Sequence, residues 1–371
     1  MNLMRVQLTL SKESIVLNAG DPDAEAPQYA INEALKGIIE GGKNTHYPHY
    51  TEYPEQFSQA VVDYYKRFTG VEYKPENVLP AAGSSAALYV ALAAVLKEGD
   101  EVLMFTPYYA GHKTIFDGMG VKMNMVPLKA ETNYHPDVDE IAEHVTKKTR
   151  AALLCNPANP TGTVFTAKEL KTVGDLAVDH DFALLADEIY LHYVYDGNKF
   201  VSIAGLSDAY KERTLGIMSF SKSFSMTGWR LGYDIVPAKY MQKAKLITSL
   251  VSPRPATFVF RAGIACLRGD FQYVEDRRKE YEKRRNYFCK AVDDLGWPCH
   301  LFEGAFYAWF DARDTGLSSQ EFLKRLKDSQ NLSLSPGSNF GADGFIRVPL
   351  TQPAPVLKEA AKRLKAFKAS L

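Results

Sequence analysis

The chain has no long apolar run, no excess charge and few cysteines, and each shortage removes a class of function. No stretch of its 371 residues approaches the ~18 consecutive apolar residues of a membrane span. Lys plus Arg and Asp plus Glu are equal at 44 each, for a formal net charge of +0. No overall field therefore draws nucleic acid or an anionic membrane to it. Cys155, Cys266, Cys289 and Cys299 form no C-x-x-C pair and no metal-ligand spacing, so no metal site is expected. Cys155 closes the apolar run Ala151-Ala-Leu-Leu-Cys155 and reads as a small core residue. The first ten residues lack the apolar core and cleavage site of an export signal; with sparse cysteines, this gives the expectation of a cytoplasmic protein. The chain carries no G-x-G-x-x-G and no Walker A loop, which excludes a dinucleotide-dependent dehydrogenase.

What remains is an ordinary globular composition, 46% hydrophobic and 24% charged, long enough for about two domains. Short apolar runs at 101–105, 151–155, 182–186, 215–219 and 231–236 read as strands buried on both faces. Helical patterns at 84–97 and 167–180 lie between them. This alternation predicts an α/β fold with a mostly parallel central sheet flanked by helices. Beyond about residue 265, charge-rich helical stretches surround the aromatic run Gly304-Ala-Phe-Tyr-Ala-Trp-Phe310. The expected organisation is a large α/β domain over 40–265 and a smaller α+β domain from 1–39 plus 266–371.

Chemistry-bearing residues fall just after the predicted strands, where ligands collect in such sheets. Ser219-Phe-Ser-Lys222-Ser-Phe-Ser-Met-Thr-Gly-Trp-Arg230 places a lysine and an arginine among hydroxyls. A partly desolvated amine forms a Schiff base with an aldehyde, and hydroxyls beside an arginine suit a phosphate. Together they point to pyridoxal phosphate; alone, the segment also reads as a solvated Ser-rich loop. Asn156-Pro-Ala-Asn159-Pro-Thr-Gly162 forms a tight loop that presents Asn159. In Asp187-Glu-Ile-Tyr190, a buried aspartate suits a protonated ring nitrogen and the tyrosine a ring oxygen, although an aspartate there also makes a helix N-cap. Gly83-Ser84-Ser85 opens an Ala-rich helix and offers an anion pocket or a plain cap. Tyr109 suits stacking on a flat ring, and His112 suits backing a carboxylate. Arg347, alone in an apolar run, calls for a partner: a substrate carboxylate or an internal salt bridge.

With these motifs assembled, the chain resembles the class I/II aminotransferases, fold-type I pyridoxal-phosphate enzymes, over nearly its whole length. The resemblance implies that Lys222 forms the Schiff base with the cofactor and shuttles the substrate α-proton. It implies that Asp187 pairs with the ring nitrogen, that Asn159 and Tyr190 bond the ring oxygen, and that Tyr109 stacks on the ring. Ser84, Ser85, Ser219 and Arg230 would hold the phosphate, and His112 would back the aspartate. Arg347, with Gly20 and Asn159 close by, would take the substrate α-carboxylate. Tyr47 matches a tyrosine that reaches the neighbouring subunit's phosphate, which implies a homodimer with shared active sites.

The chain departs from the pattern at Glu52, where many members carry glycine, in the aromatic segment 47–54. No clear second cation for a distal carboxylate stands out: one position used by some members is Ser85, and Arg254 is the other candidate. A neutral or aromatic amino acid is therefore favoured as donor over a dicarboxylic one, with a 2-oxo acid as acceptor. The alternative on the same residues is a lyase or synthase acting by β/γ-elimination, since one carbanion can partition either way. A sensor domain tethered to a DNA-binding module is disfavoured by chain length and neutral charge.

Overall fold

The computed structural model describes residues 14–251 and 254–371; Ser252, Pro253 and the first part of the expected small domain, 1–13, lie outside the described residues. After a two-residue strand β1 (Ile15–Val16), seven strands form the central sheet: β2 (Val78–Ala81), β3 (Glu101–Thr106), β4 (Lys122–Pro127), β5 (Thr149–Cys155), β6 (Ala183–Asp187), β7 (Thr214–Ser219) and β8 (Gly232–Ile235). Their order is β2-β8-β7-β6-β5-β3-β4. Pairing is parallel from β7 through β4, whereas β8 is antiparallel to both β7 and β2. The sheet is thus mostly parallel, as expected, with one reversed strand.

Both faces are covered, which explains why the strands read as unbroken apolar runs. Val102, Met104, Leu153, Leu185 and Ile217 pack with the helix Ser84–Val95 on one side. Leu103, Phe105, Leu154, Leu184 and Ala186 pack with the helix Ala167–Asp179 on the other. Alternate residues of each strand go to opposite cores, the period-two rule applied to a sheet with no wet face. Truncating a fully buried residue such as Leu184 to alanine costs about 2–5 kcal/mol in such settings. A third core joins the helices Gln28–Glu40, Tyr53–Thr69 and Thr257–Arg268.

A further core gathers the antiparallel strands β9 (Tyr307–Asp311), β11 (Ser335–Pro336) and β12 (Phe345–Pro349). The helices Ser319–Gln330 and Ala354–Lys368 complete it, and β10 (Leu332–Ser333) pairs with β1. Within the segment 1–39, Leu17 joins this core while Ala26, Ala30 and Ala34 join the core of the helix Thr257–Arg268. The helix Gln272–Asp293 runs between them, with Val274 in the core of the helix Thr257–Arg268 and Tyr281, Phe288 and Val292 in the core of β9 and β12. That continuous helix explains why no linker composition marks a boundary. Among the described residues no helix is long and apolar enough to cross a membrane.

An ionic clamp joins the helix Ala167–Asp179 to the segment before β9. His135 contacts Glu169 at 2.9 Å through Nδ1 and Glu303 at 3.2 Å through Nε2. Glu303 also accepts the Val164 N–H, and Gly304 N–H donates to Gly162 O at 2.7 Å. Hydrogen bonds to Glu169 and then Glu303 raise the His135 pKa to about 10. A raised histidine pKa contributes stability that is complete below the unfolded value of about 6.5 and lost as pH rises through the folded value. His135→Gln should therefore lower the thermal midpoint at pH 6, by the equivalent of about 2 kcal/mol for charged hydrogen bonds. The gap to the wild type should close between pH 6.5 and 10; parallel unfolding midpoints across that range would rule the clamp out.

Candidate active site

The site forms along one edge of the sheet, where the co-directional strands end. Strand β2 leads into Gly83-Ser84-Ser85, β3 into Tyr109, and β5 into Asn156–Asn159. Asp187 is the last residue of β6, and β7 leads into Lys222. Since β8 runs the other way, the residue that reaches this edge comes from the turn before it, Arg230. These loops enclose a cavity of about 340 Å³. Gly20, Ser84, Ser85, Tyr109, Asn159, Asp187, Tyr190, Lys222, Arg230 and Arg347 all line it.

Lys222 sits at the end of the one-turn helix Phe220–Ser223, and its Nζ donates to Gly20 O at 2.6 Å. Burial pushes its pKa down to about 8; Arg347 and Arg230 push the same way, against Asp21 and Asp187. The amine therefore sheds its proton far more readily than a solvated lysine. Asp187 is buried, and its Oδ2 accepts from His112 Nε2 at 3.0 Å. Among the described residues its Oδ1 has no partner. No helix follows Asp187, so it does not serve as a cap. A buried carboxylate oxygen left bare costs free energy unless a ligand donor meets it.

Arg347 lies buried on β12. It donates to Asn159 Oδ1 at 3.1 Å, Asn18 O at 2.8 Å and Ser335 Oγ at 3.3 Å. Among the described residues none of these partners is a carboxylate, and Nε has no partner. The internal salt bridge weighed for this arginine is thus not made. Desolvation by burial lowers its pKa, so an anion entering the cavity gains from an unneutralised charge.

Arg230 adopts a left-handed backbone at φ 53° and donates to Thr227 O at 2.7 Å. Gly83, at φ 91°, faces it: a β-carbon there would lie 2.3 Å from Arg230 Nη2. The backbone angle favours glycine, and a side chain there would push the guanidinium out of this position. The helix Ser84–Val95 opens beside it without a side-chain cap, leaving its first N–H groups available.

Several residues stand elsewhere than expected. Ser219 does not line the cavity; its Oγ accepts the Ser221 N–H as the cap of the short helix, and Ser221 lines the cavity instead. Tyr47, expected at a neighbouring subunit's phosphate, is exposed and is not among the residues that line its own chain's cavity. Arg254 lines an adjoining depression that shares only Thr227 and Arg230 with the site. Cys155 packs against a core and also lines the cavity beside Asp187. Tyr307 escaped the sequence reading because it lies in an aromatic run that looks like core. Its hydroxyl is 2.8 Å from that of Tyr190, which Asn159 Nδ2 also approaches at 3.5 Å.

Pyridoxal phosphate presents an aldehyde, a ring nitrogen, a ring oxygen and a phosphate. The cavity offers a low-pKa amine, a bare buried carboxylate oxygen, a tyrosine–asparagine pair, and an arginine beside a helix N-terminus. The donor set fits. The sequence pattern of the family "Aminotransferase class I and II" matches residues 12–364. The chain belongs to the class I and II aminotransferases. This aminotransferase is 35% identical to an aspartate aminotransferase of Pyrococcus abyssi over 95% of its own length and 91% of the relative's. It is 36% identical to the aromatic-amino-acid aminotransferase 2 of Thermococcus litoralis, covering 95% and 90%. The crystal structure of an aromatic aminotransferase from Pyrococcus horikoshii superposes with a TM-score of 0.91 at 33% identity, covering 99% of both chains. The aminotransferase is a pyridoxal-phosphate enzyme with this family's fold, and the relatives lend no support to the elimination alternative.

Gly83→Ala should weaken pyridoxal phosphate binding to the apoprotein about tenfold or more, a loss of at least ~1.4 kcal/mol. Gly99→Ala controls for backbone strain alone, since Gly99 has φ 84° and no atom within 4 Å of a β-carbon. Equal affinities of the two variants, read by absorbance titration, would contradict the requirement for close approach.

Proposed function

We propose that this aminotransferase moves the amino group of a neutral or aromatic L-amino acid to a 2-oxo acid, with the cavity residues in the following roles. Pyridoxal phosphate, when bound, supplies an aldehyde for amine attachment and a protonated ring as an electron sink. Lys222 is the residue that would hold the cofactor's aldehyde carbon, and its Nζ would take up and return the substrate α-proton. An amine with a pKa of about 8 is matched to both halves of that task near neutral pH. Asp187 Oδ1 keeps the ring nitrogen protonated, with His112 orienting the carboxylate from behind. Tyr190 and Asn159 bond the ring oxygen, and Tyr109 stacks on the ring. Ser84, Ser85, Ser221 and Arg230 surround the phosphate, with Ser219 capping the short helix that carries Ser221. Arg347 takes the α-carboxylate, beside Gly20 and Asn159.

The observation that carries this reading is the convergence of Lys222, the bare Asp187 Oδ1 and the unneutralised Arg347 on one cavity. Among the described lining residues the only cations are Lys222, Arg230 and Arg347, and all three have tasks in the assignment above. Leu88, Ile189, Tyr109 and Tyr307 supply the remaining apolar and aromatic wall. That balance favours an uncharged donor side chain. The exposure of Tyr47 (69%) supports its service to a second copy's phosphate, and hence a homodimer. A large cofactor domain over 40–265, a smaller domain from the remainder, and a cytoplasmic setting complete the proposal.

A panel of amino donors against one 2-oxo acid tests it. Phenylalanine or tyrosine should exceed aspartate in kcat/KM by about tenfold, the discrimination of ~1.4 kcal/mol that an unpaired distal carboxylate entails. Aspartate as the preferred donor would overturn the specificity. The purified enzyme should be yellow, losing its visible band on borohydride treatment, and Lys222→Ala should neither show the reducible band nor turn over. Ammonia released without an acceptor would point to elimination instead.

A further inference from the structure

Tyr307 opens β9, is 2% exposed, and lines the cavity. Its ring and its hydroxyl meet different parts of the site. The Arg347 guanidinium carbon lies over the ring, 4.6 Å from its centroid. The ring of Phe340 lies 4.4 Å from the same carbon, so two aromatic rings pack against the guanidinium and restrict its motion. The hydroxyl is wedged against Gly20: a β-carbon on Gly20 would lie 2.1 Å from it. Among the described residues its single hydrogen bond is to the Tyr190 hydroxyl, at 2.8 Å and in a buried setting.

Each hydroxyl has one proton to give. Either hydroxyl of the pair can be the donor; once the Tyr190 proton is committed to the cofactor's ring oxygen, as assigned above, Tyr307 is left to donate to Tyr190. Asn159 Nδ2 approaches the Tyr190 oxygen as well. A hydroxyl that accepts one hydrogen bond donates the next more strongly, since bonds in a chain polarise one another.

We propose that Tyr307 is a positioning residue with two separable tasks: its ring holds Arg347 in place for the substrate carboxylate, and its hydroxyl sharpens Tyr190 as a donor to the cofactor's ring oxygen. The second task rests on the functional reading given above. It has a spectroscopic consequence that does not depend on turnover. Weaker donation by Tyr190 leaves the negative ring oxygen less stabilised, so Lys222 Nζ, bonded to the cofactor, keeps its proton to higher pH.

The test titrates the visible band of the holoenzyme, without substrate, against pH. Tyr307→Phe should raise the midpoint by about half a pH unit, the scale of one indirect neutral hydrogen bond, while the donor KM stays within about twofold. Tyr307→Leu should show the same midpoint shift and raise the donor KM about tenfold, because the ring under Arg347 is gone. In a Tyr190→Phe background, Tyr307→Phe should move the midpoint no further, since the effect passes through Tyr190. A Tyr307→Phe midpoint equal to the wild type's, or a full shift surviving in the Tyr190→Phe background, overturns the hydroxyl's task. An unchanged KM in Tyr307→Leu overturns the ring's task. A colourless wild-type protein would sink the cofactor assignment and this inference together, whereas a coloured one with unmoved variants sinks only this inference.

Discussion

Strands that run together release their following loops at the same edge of a sheet, and a strand that runs against them brings the loop before it to that edge. The site depends on this constraint. Strands β2, β3, β5, β6 and β7 deliver Ser84, Tyr109, Asn159, Asp187 and Lys222 by the first route. Reversed β8 delivers Arg230 by the second. A parallel β8 would carry Arg230 to the opposite edge, about four residues or ~13 Å of strand away. Two glycines secure the geometry: Gly83 leaves room for the guanidinium, and Gly232 lets β8 lie against Met218 and Gly83.

On that scaffold the cavity keeps its charges unpaired on purpose-built supports. Arg347 receives neutral oxygens and two aromatic rings instead of a carboxylate. Asp187 receives His112 on one oxygen and, among the described residues, nothing on the other. Lys222 leans on a backbone carbonyl. Each arrangement holds a side chain in place without neutralising it, which leaves its charge or lone pair for a ligand. The cost in free energy is recovered when complementary groups bind.

Much of this was legible because apolar runs end where chemistry begins. Asp187, Asn159 and Lys222 were found by their position after Phe182–Ala186, Ala151–Cys155 and Leu215–Ser219, and the sheet places them accordingly. The short β2 and the half-exposed β4, with its Lys-Met-Asn-Met alternation, lack such runs and were missed. The reversal of β8 has no local signature, since its residues are as buried as those of its parallel neighbours. Ser219 and Ser221 changed places because the chain turns from strand to helix between them, and spacing alone does not fix which hydroxyl faces inward. Tyr307 was hidden by composition: among Phe306, Trp309 and Phe310, all buried, only three-dimensional contacts separate a working tyrosine from packing.

The cavity draws on residues from Asn18 to Arg347, nearly the full reach of the chain. During synthesis, every earlier stage therefore has the lysine but not the pocket. Lys222 emerges long before Tyr307 and Arg347 exist to close the wall, so the cofactor has its complete site only when the polypeptide is almost finished. Once bound, it ties the first strand, the central sheet and the last strand into one thermodynamic unit. Colour in this protein thus reports more than an attached ring: it certifies that both ends of the chain have found each other.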